Sequence, residues 1–110
     1  MRLPNAKHAI IQKEKLINYL LSLTDGDRKP KAEYFRKIGF NETNLKAFES
    51  ALLTVASNND VKTIEKYKFG VKYIVEGFMD SPKGKRIMIR TVWSVDKGEK
   101  NPRLVTAYRV

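Results

Sequence analysis

The hydrophobic period of this chain changes near residue 60. Before that point apolar residues recur every three or four positions, and after it they alternate with polar ones. Leu16, Ile17, Leu20 and Leu21 predict a helix over 14–22, which should stop before the turn-forming cluster Thr24-Asp-Gly-Asp27. Pro30 suits the first turn of a second helix over 31–38, where its missing amide proton would have no helical partner anyway. Gly39 then fits the left-handed residue that commonly closes a helix. Asn41 or Thr43 can cap a third helix, with Leu45, Phe48, Leu52, Val55 and Ala56 as its apolar stripe and Asn58-Asn-Asp60 as its end.

Beyond residue 60, the segments 61–69, 71–78, 85–95 and 103–110 are rich in β-branched and aromatic residues and read as strands. Gly70, 80–84 and 96–102 carry the turn chemistry between them. Three helices followed by four strands in sequential hairpins predict an α+β fold. The helices should pack on one face of a four-stranded antiparallel meander, in a single domain over 1–110.

The last two strands carry the most chemistry. In the third, Ile87, Ile89, Thr91, Trp93 and Val95 share one face, and Met88, Arg90, Val92 and Ser94 the other. In the fourth, Leu104, Thr106 and Tyr108 alternate with Arg103, Val105, Ala107 and Arg109. Two arrangements are compatible with this pattern. If Met88, Val92, Val105 and Ala107 meet the helices, Thr91, Trp93, Thr106 and Tyr108 line an open face. If Ile87, Ile89, Trp93 and Leu104 meet them, the open face is instead arginine-rich and Trp93 fills the core. We expect the first.

Composition narrows the partners. The 110 residues carry a formal charge of +10, spread along the whole chain, so the folded surface must be positive. Such a surface favours polyanions, because each cation seated on a phosphate releases a condensed counterion. Nucleic acid is the first partner to consider, an acidic protein the second and an anionic membrane the third. There is no cysteine and a single histidine, His8, so a disulfide, a thiolate nucleophile and a multi-histidine metal site are excluded within one chain. The beginning of the chain lacks the apolar run of a signal peptide, and no stretch approaches membrane-spanning length. The expectation is a cytoplasmic protein with no membrane partner and no cofactor.

Five motifs occur in order: Leu3-Pro-Asn-Ala6, Lys31-Ala32 with Phe35 and Gly39, Phe69-Gly70 with Tyr73, Thr91-Val-Trp93, and Pro102-Arg-Leu-Val-Thr-Ala-Tyr108. Together they resemble a family of small bacterial domains of unknown function, found free-standing or at the ends of toxin-like proteins. Similar domains look like distant members of the barnase/EndoU/colicin/RelE-like ribonuclease superfamily. That resemblance implies N-terminal helices on a four-stranded antiparallel sheet, metal-independent RNA cleavage, and neutralisation by a cognate antitoxin or immunity protein. One departure stands out: the residue before the Lys-Ala pair is often histidine in the family, and here it is Pro30.

Cleaving RNA without a metal requires a base for the 2′-hydroxyl, cations for the phosphorane and a proton for the departing 5′-oxygen. Lys31 and Arg103 are the expected phosphate holders, Arg103 through the planar fork that can grip two oxygens. Thr106 and Thr91 would orient the phosphate, and Tyr108 or His8 would move protons. His8 can serve only if the leader folds back near Lys31. Arg90, Trp93, Arg28 and Lys29 complete the expected RNA-binding set, and Glu76 is the one strand carboxylate placed to act as a base. The alternatives are a non-catalytic nucleic-acid-binding module and a protein-interaction domain with an acidic partner.

Overall fold

The computed structural model describes every residue except Asp25, Asp27 and Arg28, so the expected turn at 24–27 and the Arg28 assignment lie largely outside the described residues. A 3-10 turn (Ala6–His8) precedes α1 (Lys13–Lys15), which runs directly into a π-helical turn (Leu16–Leu20). There the amide of Leu21 donates to Leu16 O, so the widened turn buries Leu16, Leu20 and Leu21 together. Helix α2 (Lys29–Lys37) buries Ala32 and Phe35 and begins two residues earlier than expected, with Pro30 in its first turn. It closes in a Schellman motif: Phe40 N–H donates to Phe35 O, Gly39 N–H donates to Arg36 O, and Gly39 sits at φ 112°.

Helix α3 (Leu45–Asn58) buries Phe48, Leu52, Val55 and Ala56 of the expected stripe, with Leu45 half-buried against them. Neither Asn41 nor Thr43 caps it. Asn41 Oδ1 is occupied by the amide and hydroxyl of Thr43, and the helix instead follows Asn44. The Asn44 side chain turns back to Gly39 O and the Asn41 amide, tying the α2–α3 connection shut. Phe48 joins the two helices, with its ring 5.0 Å from Phe35 and stacked 4.5 Å from Phe40.

The strands β1 (Val61–Tyr67), β2 (Gly70–Asp80), β3 (Arg86–Asp96) and β4 (Arg103–Arg109) form one antiparallel sheet in sequential order. The fold is therefore α+β with its helices ahead of its strands, as the change of period predicts. Helix α3 packs against β2 and reaches β3. One continuous core results, and the sheet contributes Val75, Met79, Ile89, Trp93, Leu104 and Ala107 to it.

That core corrects the expected choice of face. Thr91 and Trp93 are completely buried, with Trp93 Nε1 donating to Thr91 Oγ1 at 2.8 Å and Thr91 Oγ1 donating to Val75 O at 2.8 Å. Indole is the largest apolar body on the sheet, and burying it on the helices removes more apolar area from water than burying Met88 or Val92 would. On β4 the expected alternation fails for a different reason. Val92 pairs with Thr106 but Trp93 pairs with Leu104, so Val105 is an extra, bulged residue. The bulge turns Leu104 and Ala107 both inward and leaves Thr106 and Tyr108 outward beside Arg103, a combination that strict period two forbids.

The leader runs along the start of β4. Ile10 N–H donates to Pro102 O and Leu104 N–H donates to Ile10 O, forming a parallel bridge at Arg103 that covers part of an otherwise unpaired edge.

Candidate functional site on the open sheet face

Register places one residue from each strand in a row across the exposed face. Glu76 of β2 lies opposite Arg90 of β3, and Arg90 lies opposite Tyr108 of β4. Lys62, at an irregularity in the β1 register, extends the row. Lys62 Nζ donates to Glu76 Oε1 at 3.0 Å and Arg90 Nε donates to Glu76 Oε2. Arg90 Nη1 also approaches the Tyr108 hydroxyl at 3.5 Å, its guanidinium lying 5.6 Å from the ring centre. From the other side Lys31 of α2 reaches past the edge strand, its Nζ 4.9 Å from the Tyr108 ring. The phenol thus stands between two cations.

Charge follows from these contacts. Hydrogen bonding from Lys62, then from Arg90, holds the Glu76 carboxyl below its usual range despite partial burial. The same network, led by the Tyr108 hydroxyl, holds the Arg90 guanidinium above its own. The Glu76 carboxylate and the Arg90 guanidinium thus hold each other in their charged forms at the centre of the row.

Thr106, beside Val92 on the same face, has a buried Oγ1 with no hydrogen-bond partner. A hydroxyl in that condition loses solvation and gains nothing from the fold. Next to Tyr108, a cleft of about 240 Å³ is lined by Pro30, Lys31, Tyr34, Phe35, Tyr108 and Arg109. The Arg109 guanidinium lies 4.6 Å from the Tyr34 ring centre, which fixes one wall.

The expected residues do not all meet. Lys31, Arg90, Thr106 and Tyr108 gather here, with Glu76. Thr91 and Trp93 lie behind them in the core and offer no surface. Arg103 shares the open face but stands five residues along β4 from Tyr108, roughly 15 Å at strand rise. Its Nε donates to Asp96 Oδ2 at 2.7 Å and its Nη2 to Asp96 Oδ1 at 3.3 Å. His8 is exposed on the leader turn at that same end, because the leader meets β4 at Arg103 rather than at Tyr108. The fold-back toward Lys31 that would recruit His8 does not occur. Lys29 is exposed at the start of α2, with Glu33 4.0 Å away.

Lys62 carries no sequence signal, since it is one lysine among many and only the β1 irregularity delivers it to Glu76. Among the described residues no three carboxylate or imidazole groups cluster closely enough to hold a metal ion, and no helix is long and apolar enough to cross a membrane.

Residues 2–110 match the family described as a domain of unknown function, DUF6883. The fold is similar to that of a chain in a contact-dependent growth inhibition toxin–immunity protein complex from Klebsiella pneumoniae 342. The TM-score is 0.74 at 18% sequence identity, over 94% of this chain and 95% of that one. At that identity the likeness is one of fold. No curated protein matches the chain in sequence.

Proposed function

The chain belongs to the DUF6883 family, and from that premise and the open face of its sheet we propose a metal-independent ribonuclease toxin acting on cellular RNA in the cytoplasm. The observation that carries this reading is the row Glu76–Arg90–Tyr108 across the open face, with Lys31 on the far side of the Tyr108 ring at the mouth of the neighbouring cleft: a base, two cations and a proton donor linked through one phenol. The toxin–immunity neighbour in fold and the charge of +10 support it.

Each group has a role its chemistry permits. The Glu76 carboxylate accepts the proton of a 2′-hydroxyl, whose oxygen then attacks the adjacent phosphorus. Arg90 and Lys31 stabilise the charge that gathers on the phosphorane oxygens. As the bond to the 5′-oxygen breaks, the Tyr108 hydroxyl supplies the proton, and the resulting phenolate is held by the two flanking cations. The products are a 2′,3′-cyclic phosphate and a free 5′-hydroxyl. Arg103 holds a more distant phosphate of the same strand.

A cell carrying such an enzyme needs a neutraliser. An acidic immunity protein seated on the open face would cover Lys31, Arg90 and Arg103 together. The test is incubation of the purified protein with total RNA in chelator, beside Arg90→Ala and Tyr108→Phe. Fragments ending in cyclic phosphate are expected from the parent protein alone. Intact RNA, together with harmless expression in a growing cell, would overturn the proposal.

One observation favours a second reading, a non-catalytic nucleic-acid module. Glu76 is already engaged by two cations, which weakens it as a base. That reading predicts salt-sensitive RNA binding without strand scission.

A further inference from the structure

At the Arg103 end the open face closes in a second hollow of about 510 Å³, lined by Lys68, Phe69, Asp96, Lys97 and Arg103. Its shape depends on Gly70, which sits at φ 154°. A Cβ there would lie 2.2 Å from Val95 O, so only glycine lets the β1–β2 turn press against β3. Lys97 N–H then donates to Phe69 O at 2.8 Å, clasping the β1–β2 and β3–β4 turns together. Phe69 is 59% exposed on this braced turn. The Tyr67 ring meets it edge-on at 5.8 Å, and Lys68 Nζ lies 4.9 Å from its centre. Tyr67 is itself anchored, its hydroxyl sharing a 2.8 Å hydrogen bond with Ser94 Oγ.

An exposed phenyl ring on a fixed turn costs solvation and contributes nothing to the core. Around it stand Lys68, Lys97 and Arg103 against one carboxylate, Asp96, which occupies only two of the five guanidinium N–H groups of Arg103. Lys68 lies over one face of the ring, and the other face, beside cations with free donors, is complementary to a nucleobase and its phosphate. Arg103, the cation of this corner on β4, stands roughly 15 Å along that strand from Tyr108, a span of about four stacked nucleotides.

We infer that the corner formed by Lys68, Phe69, Lys97 and Arg103 is a second nucleotide-binding subsite for single-stranded RNA. It stacks a base on Phe69 and holds the adjoining phosphate on the three cations, while the strand continues to the Tyr108 hollow. This inference rests on the ribonuclease reading for the identity of the polymer, and it makes the corner the part of the face that measures substrate length.

The experiment compares binding of 2′-O-methyl oligouridylates of three and eight nucleotides, which lack the attacking hydroxyl, by fluorescence anisotropy. The parent protein should prefer the longer probe strongly. Phe69→Ala should shrink that preference by on the order of tenfold, the worth of one stacked base, with Phe69→Leu in between. Lys68→Ala combined with Lys97→Ala should shrink it as well and flatten its salt dependence. All three variants should melt like the parent, because the side chains removed are exposed. An unchanged length preference in Phe69→Ala, or equal loss on both probes, overturns the subsite, and if RNA is still cleaved the ribonuclease reading survives. Length-dependent binding that falls in Phe69→Ala without any RNA cleavage removes the enzyme and keeps the subsite. A parent protein that binds neither probe removes both.

Discussion

The two faces of β3 make opposite use of neighbouring residues. Thr91 and Trp93 point into the helices, where their polar atoms satisfy one another and the Val75 carbonyl. Arg90 and Val92, one position away, point outward into a layer of charges that are paired yet still reach solvent. The inner face is closed at this point: the Thr91 hydroxyl and the Trp93 indole N–H both have partners and neither residue is exposed. On the outer face Thr106 lacks a partner, Glu76 bridges two cations, and a phenol stands between an arginine and a lysine. Groups left incompletely satisfied on a face the core does not need are what a ligand can complete.

Substitutions on either side can break this contrast. The largest effect belongs to Trp93→Ala, which should cost about 3–5 kcal/mol by leaving a cavity under the sheet. Equilibrium denaturation measures it, and a loss under 1 kcal/mol would mean that the indole is not the keystone of the inner face. Arg90→Ala should do the reverse. RNA cleavage should fall by roughly 10²–10³-fold for loss of one charge-stabilising donor. Stability should change little, since Lys62 still holds Glu76.

The two threonines sharpen the comparison further. Thr91→Val strands the buried indole N–H of Trp93 and should cost roughly 1–3 kcal/mol. Thr106→Val removes a buried hydroxyl that already lacks a partner, so stability should hold or rise by up to about 1 kcal/mol. Equal stability losses at the two positions would erase the distinction between the faces.

The smallest effect is expected from acid. The carboxyls of Glu76 and Asp96 are lowered mainly by hydrogen bonds from Lys62 and Arg103, and that of Glu42 falls from 4.5 to about 2 beside Arg36. Groups lowered on folding stabilise fully above their unfolded values and lose that contribution as pH falls through the folded ones. The melting temperature should therefore decline between pH 5 and 2 and be insensitive to these groups above pH 5. Each contribution is small because these carboxylates lie at or near the surface. An acid limb as flat as the neutral plateau would show that these ion pairs do not couple to folding.

Pattern alone carried the reading a long way, and then stopped for identifiable reasons. The switch of period near residue 60, Pro30 in a first helical turn, Gly39 at a helix end and the alternation in β3 are local facts. Each constrains a few neighbouring residues through backbone geometry, so the α+β order of elements was legible. Lys31, Arg90, Thr106 and Tyr108 were legible as candidates because their chemistry is intrinsic to the side chain.

Three matters needed the assembled molecule. Which face of β3 the helices cover depended on comparing two amphipathic surfaces, both partly apolar, and the volume of Trp93 decided it. The parity of β4 depended on the bulge at Val105, which has no local signature and shows itself only in the pairing with β3. The path of the leader, which leaves His8 at the Arg103 end, depended on an unpaired edge that exists only once the sheet has formed. Residue type and spacing thus determined the elements and their chemistry. Long-range pairing decided which of those groups share a surface, because face and register belong to two strands at once.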